Sequence, residues 1–214
     1  MCSALDAEPG GAWQLCNLQS SASSAEHSVN ESKEMTLKIA VQMDPMESVN
    51  IAGDSSFALM LSAQKRGHQI FHYDVKGLSL QANGRLTTPA HPVTVQPVKG
   101  DHFTFGDPVK LDLGSDVDVV LMRQAPPFHV GYITATHLLE RIEGETLVVN
   151  NPVSVRNAPE KVYVLDYAQF MPPTLITRDL DEVRAFQKEH GGIVVKPLHG
   201  NGGKAIFLVP EDGS

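Results

Sequence analysis

The segment of this chain with the most concentrated chemistry lies near its carboxyl end, at Lys196-Pro197-Leu198-His199-Gly200-Asn201-Gly202-Gly203. Three glycines in the last four positions free successive backbone N–H groups from Cβ obstruction. Such amides can turn toward one point and hold phosphate oxygens. Lys196 ends the apolar run Ile193-Val194-Val195, where its stem can pack on a sheet while the ammonium reaches an anion. A flexible hairpin tip with a solvated lysine is the plainer reading of the same residues. Two sharper motifs do not fit. A Walker A loop needs Ser or Thr after its lysine, whereas Ala205 follows Lys204 and Leu198 stands where the first glycine should be. Gly200-x-Gly202-x-x-Ala205 satisfies a dinucleotide fingerprint, but the residues after it read as a strand and not as a helix. A glycine flap between two antiparallel strands fits better than either.

Three other residues are candidates for binding. Lys161 falls near the start of a predicted helix, where a cation opposes the macrodipole and an anionic ligand nearby would relieve the misfit. Arg123 follows the run Val117–Met122, apolar but for Asp118, and Asp44 follows the alternating apolar segment Leu37–Met43. In open α/β sheets ligands bind beyond the carboxyl ends of the strands, and an arginine there can hold a carboxylate bidentately. An ordinary loop ion pair is the alternative for Arg123. The nine histidines show no His/Cys/carboxylate spacing that would build a structural zinc site. No nucleophile elbow is present, and no serine or cysteine adjoins a candidate base.

Strands and helices alternate from Met35 onward. Leu37–Met43 predicts a largely buried strand. A helix capped by Asp54 or Ser55 runs to about Arg66 and is ended by Gly67, and His68–Asp74 predicts a second strand. This order is a βαβ unit, which implies a parallel sheet. Asn83-Gly84 between two alternating arms predicts a hairpin. Prolines 89, 92, 97 and 108 are expected to keep the following thirty or so residues irregular or edge-like. Val117–Met122 predicts a buried strand, Ile133–Ile142 a helix and Thr146–Val149 a short strand. A second unit opens near Asn150-Asn151-Pro152. It is expected to contain a helix over Pro159–Gln169, a strand over Thr174–Thr177, and a helix from Asp179 or Asp181 to His190. The strands Ile193–Lys196 and Ala205–Val209 follow. One helix and an antiparallel pair are too little to be stable alone, so this unit reads as incomplete.

Composition sets the class. The 214 residues are 42% hydrophobic and 20% charged, as in globular proteins. The net charge of −8 argues against a nucleic-acid binder, and no apolar stretch is long enough to span a membrane. Residues 1–34 contain seven serines, five acids and one base, so half of the formal charge sits on the first sixth of the chain. They lack the basic start and apolar stretch of a signal peptide and are expected to be a disordered extension, or to precede a true start at Met35. Both cysteines, Cys2 and Cys16, lie here; the remaining 180 residues have none, which fits a reducing cytoplasm.

Taken in order, several of these residues resemble bacterial glutathione synthetase, an ATP-grasp ligase. They are Met43-Asp44-Pro45, Asp54-Ser55-Ser56-Phe57-Ala58, Leu121-Met122-Arg123 with Pro126-Pro127-Phe128, Asn151-Pro152 with Arg156-Asn157, Glu160-Lys161, Pro173–Arg178 and Lys196-Pro197-Leu198 with Gly200–Gly203. The resemblance implies an α/β chain. Residues 35–157 would form a Rossmann-like parallel-sheet domain preceding the ATP-grasp domain, and 158–214 the first part of the ATP-grasp domain itself. It implies ligation of glycine to γ-glutamylcysteine through an acyl phosphate formed from ATP, in a cytoplasmic enzyme that is homo-oligomeric at full length. Carried over, Lys161, Lys196, Gly200, Asn201, Gly202 and Gly203 would bind ATP, and Arg123 and Asp44 would serve the dipeptide and glycine side. Family members continue past this point with the residues that hold Mg²⁺, so the metal ligands are expected beyond residue 214 and the chain alone is expected to be inactive. His199 stands where some members have an acid. A non-catalytic nucleotide- or peptide-binding fragment and another ATP-grasp carboxylate-amine ligase are the alternatives.

Overall fold

The computed structural model describes residues 35–200 and 202–212. The expected extension at residues 1–34 therefore lies outside the described residues, as does Asn201. The sheet begins with β1 (Lys38–Gln42), and α1 (Ser55–Lys65) leads to β2 (Gln69–Tyr73). Asp54 is the N-cap of α1, its Oδ1 accepting from the Phe57 amide at 2.8 Å, and Gly67 follows the helix with φ +78°. β3 (Ser79–Leu80) and β4 (Leu86–Val95) close the hairpin over Asn83-Gly84, and Gly84 supplies the positive φ that the turn needs. Then come β5 (Phe103–Phe105), β6 (Val109–Asp112), β7 (Val119–Met122), α2 (Val130–Glu140), β8 (Leu147–Val149) and α3 (Pro152–Asn157).

β2, β1, β7 and β8 lie side by side in parallel, with Gln42 in register with both Tyr73 and Met122. Parallel strands covered on both faces need apolar residues on both, and β1 supplies them. Ile39, Val41 and Met43 pack with Phe57 and Met60 of α1, while Ala40 lies on the other face with Val120, Leu139 of α2 and Val148.

The structure departs from the sequence expectations in four places. The proline-rich stretch is ordered: β4 is a ten-residue strand that contains Pro89 and Pro92 and pairs in successive segments with β2, β3, β5 and β6. A proline removes one donor but keeps its carbonyl, and Pro92 O still accepts from the Gly106 amide at 2.8 Å. The antiparallel strands β3–β6 therefore extend the parallel sheet into a mixed one. Residues 159–169 do not form one helix. A single turn, α4 (Glu160–Tyr163), passes into a 3₁₀ segment (Val164–Phe170) broken at Tyr167. Its β-branched and aromatic residues are weak helix formers, and none of them is buried to compensate. Thr174–Thr177 is exposed and pairs with no described strand, so it is not a strand. Finally, α3 was not anticipated. Asn151 caps it, accepting from the Ser154 amide at 2.8 Å, and Pro152 occupies the tolerated first turn.

α5 (Leu180–His190), capped by Asp179, precedes the antiparallel pair β9 (Ile193–Val195) and β10 (Phe207–Val209).

Candidate functional site

The carboxyl ends of β1 and β7 are tied together by two backbone amides. The Arg123 amide donates to Gln42 O at 2.8 Å, and Asp44 Oδ2 accepts from the Ala125 amide at 3.3 Å. Arg123 then turns its guanidinium onto the first turn of α1, where Nε donates to Ser56 Oγ at 3.0 Å and Nη2 to Ser55 Oγ at 2.5 Å. Among the described residues the loop ion pair is not formed, because hydroxyls and not a carboxylate hold the cation. Hydroxyls orient a guanidinium without neutralising it, so Arg123 keeps its charge at the strand ends, half-buried, for an anionic group.

Below this layer, on the α2 face of the sheet, lies a buried polar chain. The Tyr73 hydroxyl donates to Gln42 Oε1 at 3.2 Å, and Gln42 Nε2 donates to Gln124 Oε1 at 2.8 Å. Gln42 is wholly buried, and burial pushes the Tyr73 phenol far up, so it stays a neutral donor. None of this was legible from residue spacing, which placed Gln42 only within a largely buried strand of alternating apolar residues. Ser55 and Ser56 were visible only as a helix start.

A cleft of about 430 Å³ opens beside α2 and α3. Phe128 and Tyr132 wall one side, Asn150 and Ser154 continue it, and Lys161, His199 and Gly200 close it. Phe128 and Tyr132 pack ring to ring at 5.1 Å. Burial raises the Tyr132 pKa, and the charge of Arg123 opposes the shift. Lys161 Nζ donates to Gly200 O at 2.7 Å and lies 3.6 Å from Glu160 Oε1. The structure thus brings Lys161 and Gly200 together across 39 residues of sequence. It does not bring Lys196 to the cleft wall: that lysine is exposed at the end of β9 and is not among the lining residues. Gly202 and Gly203 have φ of +60° and +74°, conformations glycine adopts without strain, and both are exposed.

The wall of the cleft is pinned by an ion pair between α2 and α3, Arg156 Nη1 to Glu140 Oε2 at 2.8 Å. Contact with Arg156 holds the Glu140 carboxyl below its ordinary range, helped by the charges of Arg156, His137 and Arg141. A carboxyl with a depressed folded-state pKa contributes stability above its unfolded pKa and loses it as pH falls through the folded value. Glu140→Gln is therefore expected to lower the melting temperature at neutral pH, with the gap to wild type closing on acidification. Thermal melts between neutral pH and about pH 3 check this, and a gap that persists unchanged at the acid end would contradict it.

Two sequence profiles cover nearly all of the chain after residue 36. Residues 37–156 match the N-terminal domain of prokaryotic glutathione synthetase, and residues 160–214 match its ATP-grasp domain. The chain belongs to the prokaryotic glutathione synthetase family. It is 58% identical over 179 residues to the glutathione synthetase of Rhodopseudomonas palustris, covering 83% of this chain and 56% of that protein. To that of Bradyrhizobium diazoefficiens it is 56% identical over the same shares, and to that of Yersinia pestis 42% identical over 82% of this chain and 55% of the relative. The chain thus spans little more than half the length of the curated relatives it matches. Within the family, the strand-end layer of Asp44 and Arg123 falls in the N-terminal match, and the Lys161–Gly200 contact lies within the ATP-grasp match.

Proposed function

We propose that this chain provides the strand-end and first nucleotide-binding elements of a glutathione synthetase, an ATP-dependent ligase that joins glycine to γ-glutamylcysteine. In that reaction a carboxylate oxygen of the dipeptide attacks the γ-phosphorus of ATP and ADP leaves. The glycine amine then attacks the acyl carbon, loses a proton and expels phosphate. The observation that carries the reading is the guanidinium of Arg123, held by hydroxyls and paired with no carboxylate among the described residues. It sits at the carboxyl ends of parallel strands, on the hydroxyls of Ser55 and Ser56, as a carboxylate-bearing substrate requires. Asp44, fixed on the Ala125 amide, is assigned to an ammonium group on the dipeptide and glycine side. Lys161, Lys196 and the glycines at 200, 202 and 203 are assigned to the nucleotide, Lys161 from the cleft and the glycines through their backbone amides. Asn201, outside the described residues, is assigned with them. An acyl phosphate hydrolyses if water reaches it, so a site of this kind serves by positioning, charge neutralisation and exclusion of water.

Mg²⁺ requires several hard oxygen ligands. The carboxylate in the cleft wall is Glu160, beside the Lys161 ammonium, and no three His, Cys, Asp or Glu side chains converge among the described residues. These residues do not fit a Mg²⁺ site, and no step is assigned to the ion through them.

Calorimetric titration of the 214-residue chain with γ-glutamylcysteine tests the reading. Saturable binding is expected, and Arg123→Gln should weaken it about 10- to 100-fold, the worth of a charge-assisted hydrogen bond to a carboxylate. Absence of binding, or equal binding by the variant, would sink the proposal. ATP binding that is weak and indifferent to Mg²⁺, with no turnover when glycine is added, would favour a non-catalytic binding fragment.

A further inference from the structure

The loop between β1 and α1, which presents Asp44, is held from beneath by two imidazoles that the sequence places far from it. His72 of β2 brings Nε2 to Asp44 O at 3.1 Å, and His102, just before β5, brings Nε2 to Met46 O at 2.7 Å. Both rings are buried, at 7% and 9% exposure. They belong to one row of rings on the α1 face of the sheet. His102 packs edge-on against Phe57 at 5.8 Å and Phe103 at 5.1 Å, Phe103 lies 4.8 Å from Phe105, and Phe105 lies 5.4 Å from His72. A carbonyl oxygen can only accept, so each Nε2 must carry the hydrogen. The row fixes the rings, the rings fix two carbonyls, and the loop between them has Pro45, which has no N–H with which to anchor itself.

We propose that His72 and His102 are positioning residues. By donating Nε2–H to the carbonyls of Asp44 and Met46 they fix the β1–α1 loop, so that the Asp44 carboxylate meets the Ala125 amide and faces the substrate beside Arg123. The structural part stands on the geometry alone; the link to substrate rests on the ligase reading given above. A phenylalanine would fill either ring position and continue the aromatic row. Histidine at both adds a donor at the one point where a loop carbonyl needs one. Burial holds the His72 imidazole below its ordinary pKa against the pull of the Asp44 carbonyl, Asp74 and Glu47, and His91 adds to the lowering. The ring is thus a neutral donor at neutral pH.

The test compares His72→Phe and His102→Phe with His72→Gln and His102→Gln, since a glutamine amide can restore the donor near the Nε2 position. Long-range proton–nitrogen NMR spectra of wild type should show both rings with hydrogen on Nε2. Hydrogen exchange of the Ala125 amide, and of the Ser48 amide that donates to Pro45 O at 2.9 Å within the loop, should quicken about tenfold or more in the Phe variants and return toward wild type in the Gln variants. At a temperature well below every variant's melting point, the dissociation constant for γ-glutamylcysteine should rise about five- to tenfold in the Phe variants, with largely restored binding in the Gln variants. A purely structural role would lower melting temperatures and leave that constant unmoved. Unchanged exchange, or the opposite tautomer, overturns the positioning itself. Quickened exchange with unchanged affinity, while Arg123→Gln still weakens binding, overturns the link to substrate but leaves the ligase reading intact. If wild type binds no dipeptide, the ligase reading has failed and the link to substrate fails with it, while the exchange data still decide whether the two rings hold the loop.

Discussion

Lys161→Met is expected to weaken ATP binding to this chain about 10- to 100-fold while leaving γ-glutamylcysteine binding within about twofold of wild type. Lys161 Nζ already touches the glycine-rich segment, donating to Gly200 O at 2.7 Å, so its ammonium stands where the cleft and that segment meet. A phosphate oxygen offered there would exchange a neutral acceptor for an anionic one, and charge-assisted hydrogen bonds are the stronger kind. Methionine keeps much of the apolar stem but removes the charge and all three donors. Arg123 belongs to a different layer, on the hydroxyls of α1, so the dipeptide should be nearly indifferent to the change. Fluorescence competition with a labelled nucleotide, run beside the dipeptide titration, separates the two. Equal loss of both ligands would show a folding defect, and loss of neither would remove Lys161 from the nucleotide site.

The largest stability effect should come from Phe57→Ala. Phe57 is 2% exposed, packs with Ile39, Val41 and Met60 between α1 and the sheet, and meets the His102 ring edge-on. Removing a buried phenylalanine ring typically costs about 3–5 kcal/mol, from lost transfer energy and the cavity left behind. For a fold of this size that corresponds to a melting temperature lower by about 6–20 °C. The substitution also strips one wall from His102, so the Met46 carbonyl should lose part of its anchoring. Phe57→Leu, which refills much of the cavity, should recover most of the loss. Calorimetric melts of the two variants check the prediction, and a shift below about 3 °C for alanine would mean the site collapses around the smaller residue.

The residues of local consequence were legible in the chain itself. Alternating apolar residues at 37–43 and the run at 117–122, apolar but for Asp118, declared β1 and β7. Asp54 or Ser55 and Asp179 or Asp181 marked two helix starts, of which the structure uses Asp54 and Asp179, and Asn83-Gly84 declared the hairpin, because caps and tight turns depend on residues a few positions apart. The positions of Asp44 and Arg123 after their strands followed from the same reasoning. What failed was where local preference and packing disagree. Pro89 and Pro92 argued against a strand, yet β4 forms because its carbonyls and remaining amides find several neighbours. The helix expected over residues 159–169 broke because nothing buries it.

Sequence by itself determined which residues could carry charge, turn the backbone or cap a helix, since those properties belong to a side chain and its immediate neighbours. Only the tertiary structure decided which of them meet. Ser55 and Ser56 hold Arg123 from 67 or 68 residues away, Gln42 is sealed between Tyr73 and Gln124, and His72 and His102 reach the loop of Asp44 from β2 and from just before β5. Such contacts carry no periodic signal along the chain. They arise because the sheet sets β1 beside β2 and β7, bringing the ends of those strands together, and a buried polar group keeps its place only where a partner is waiting.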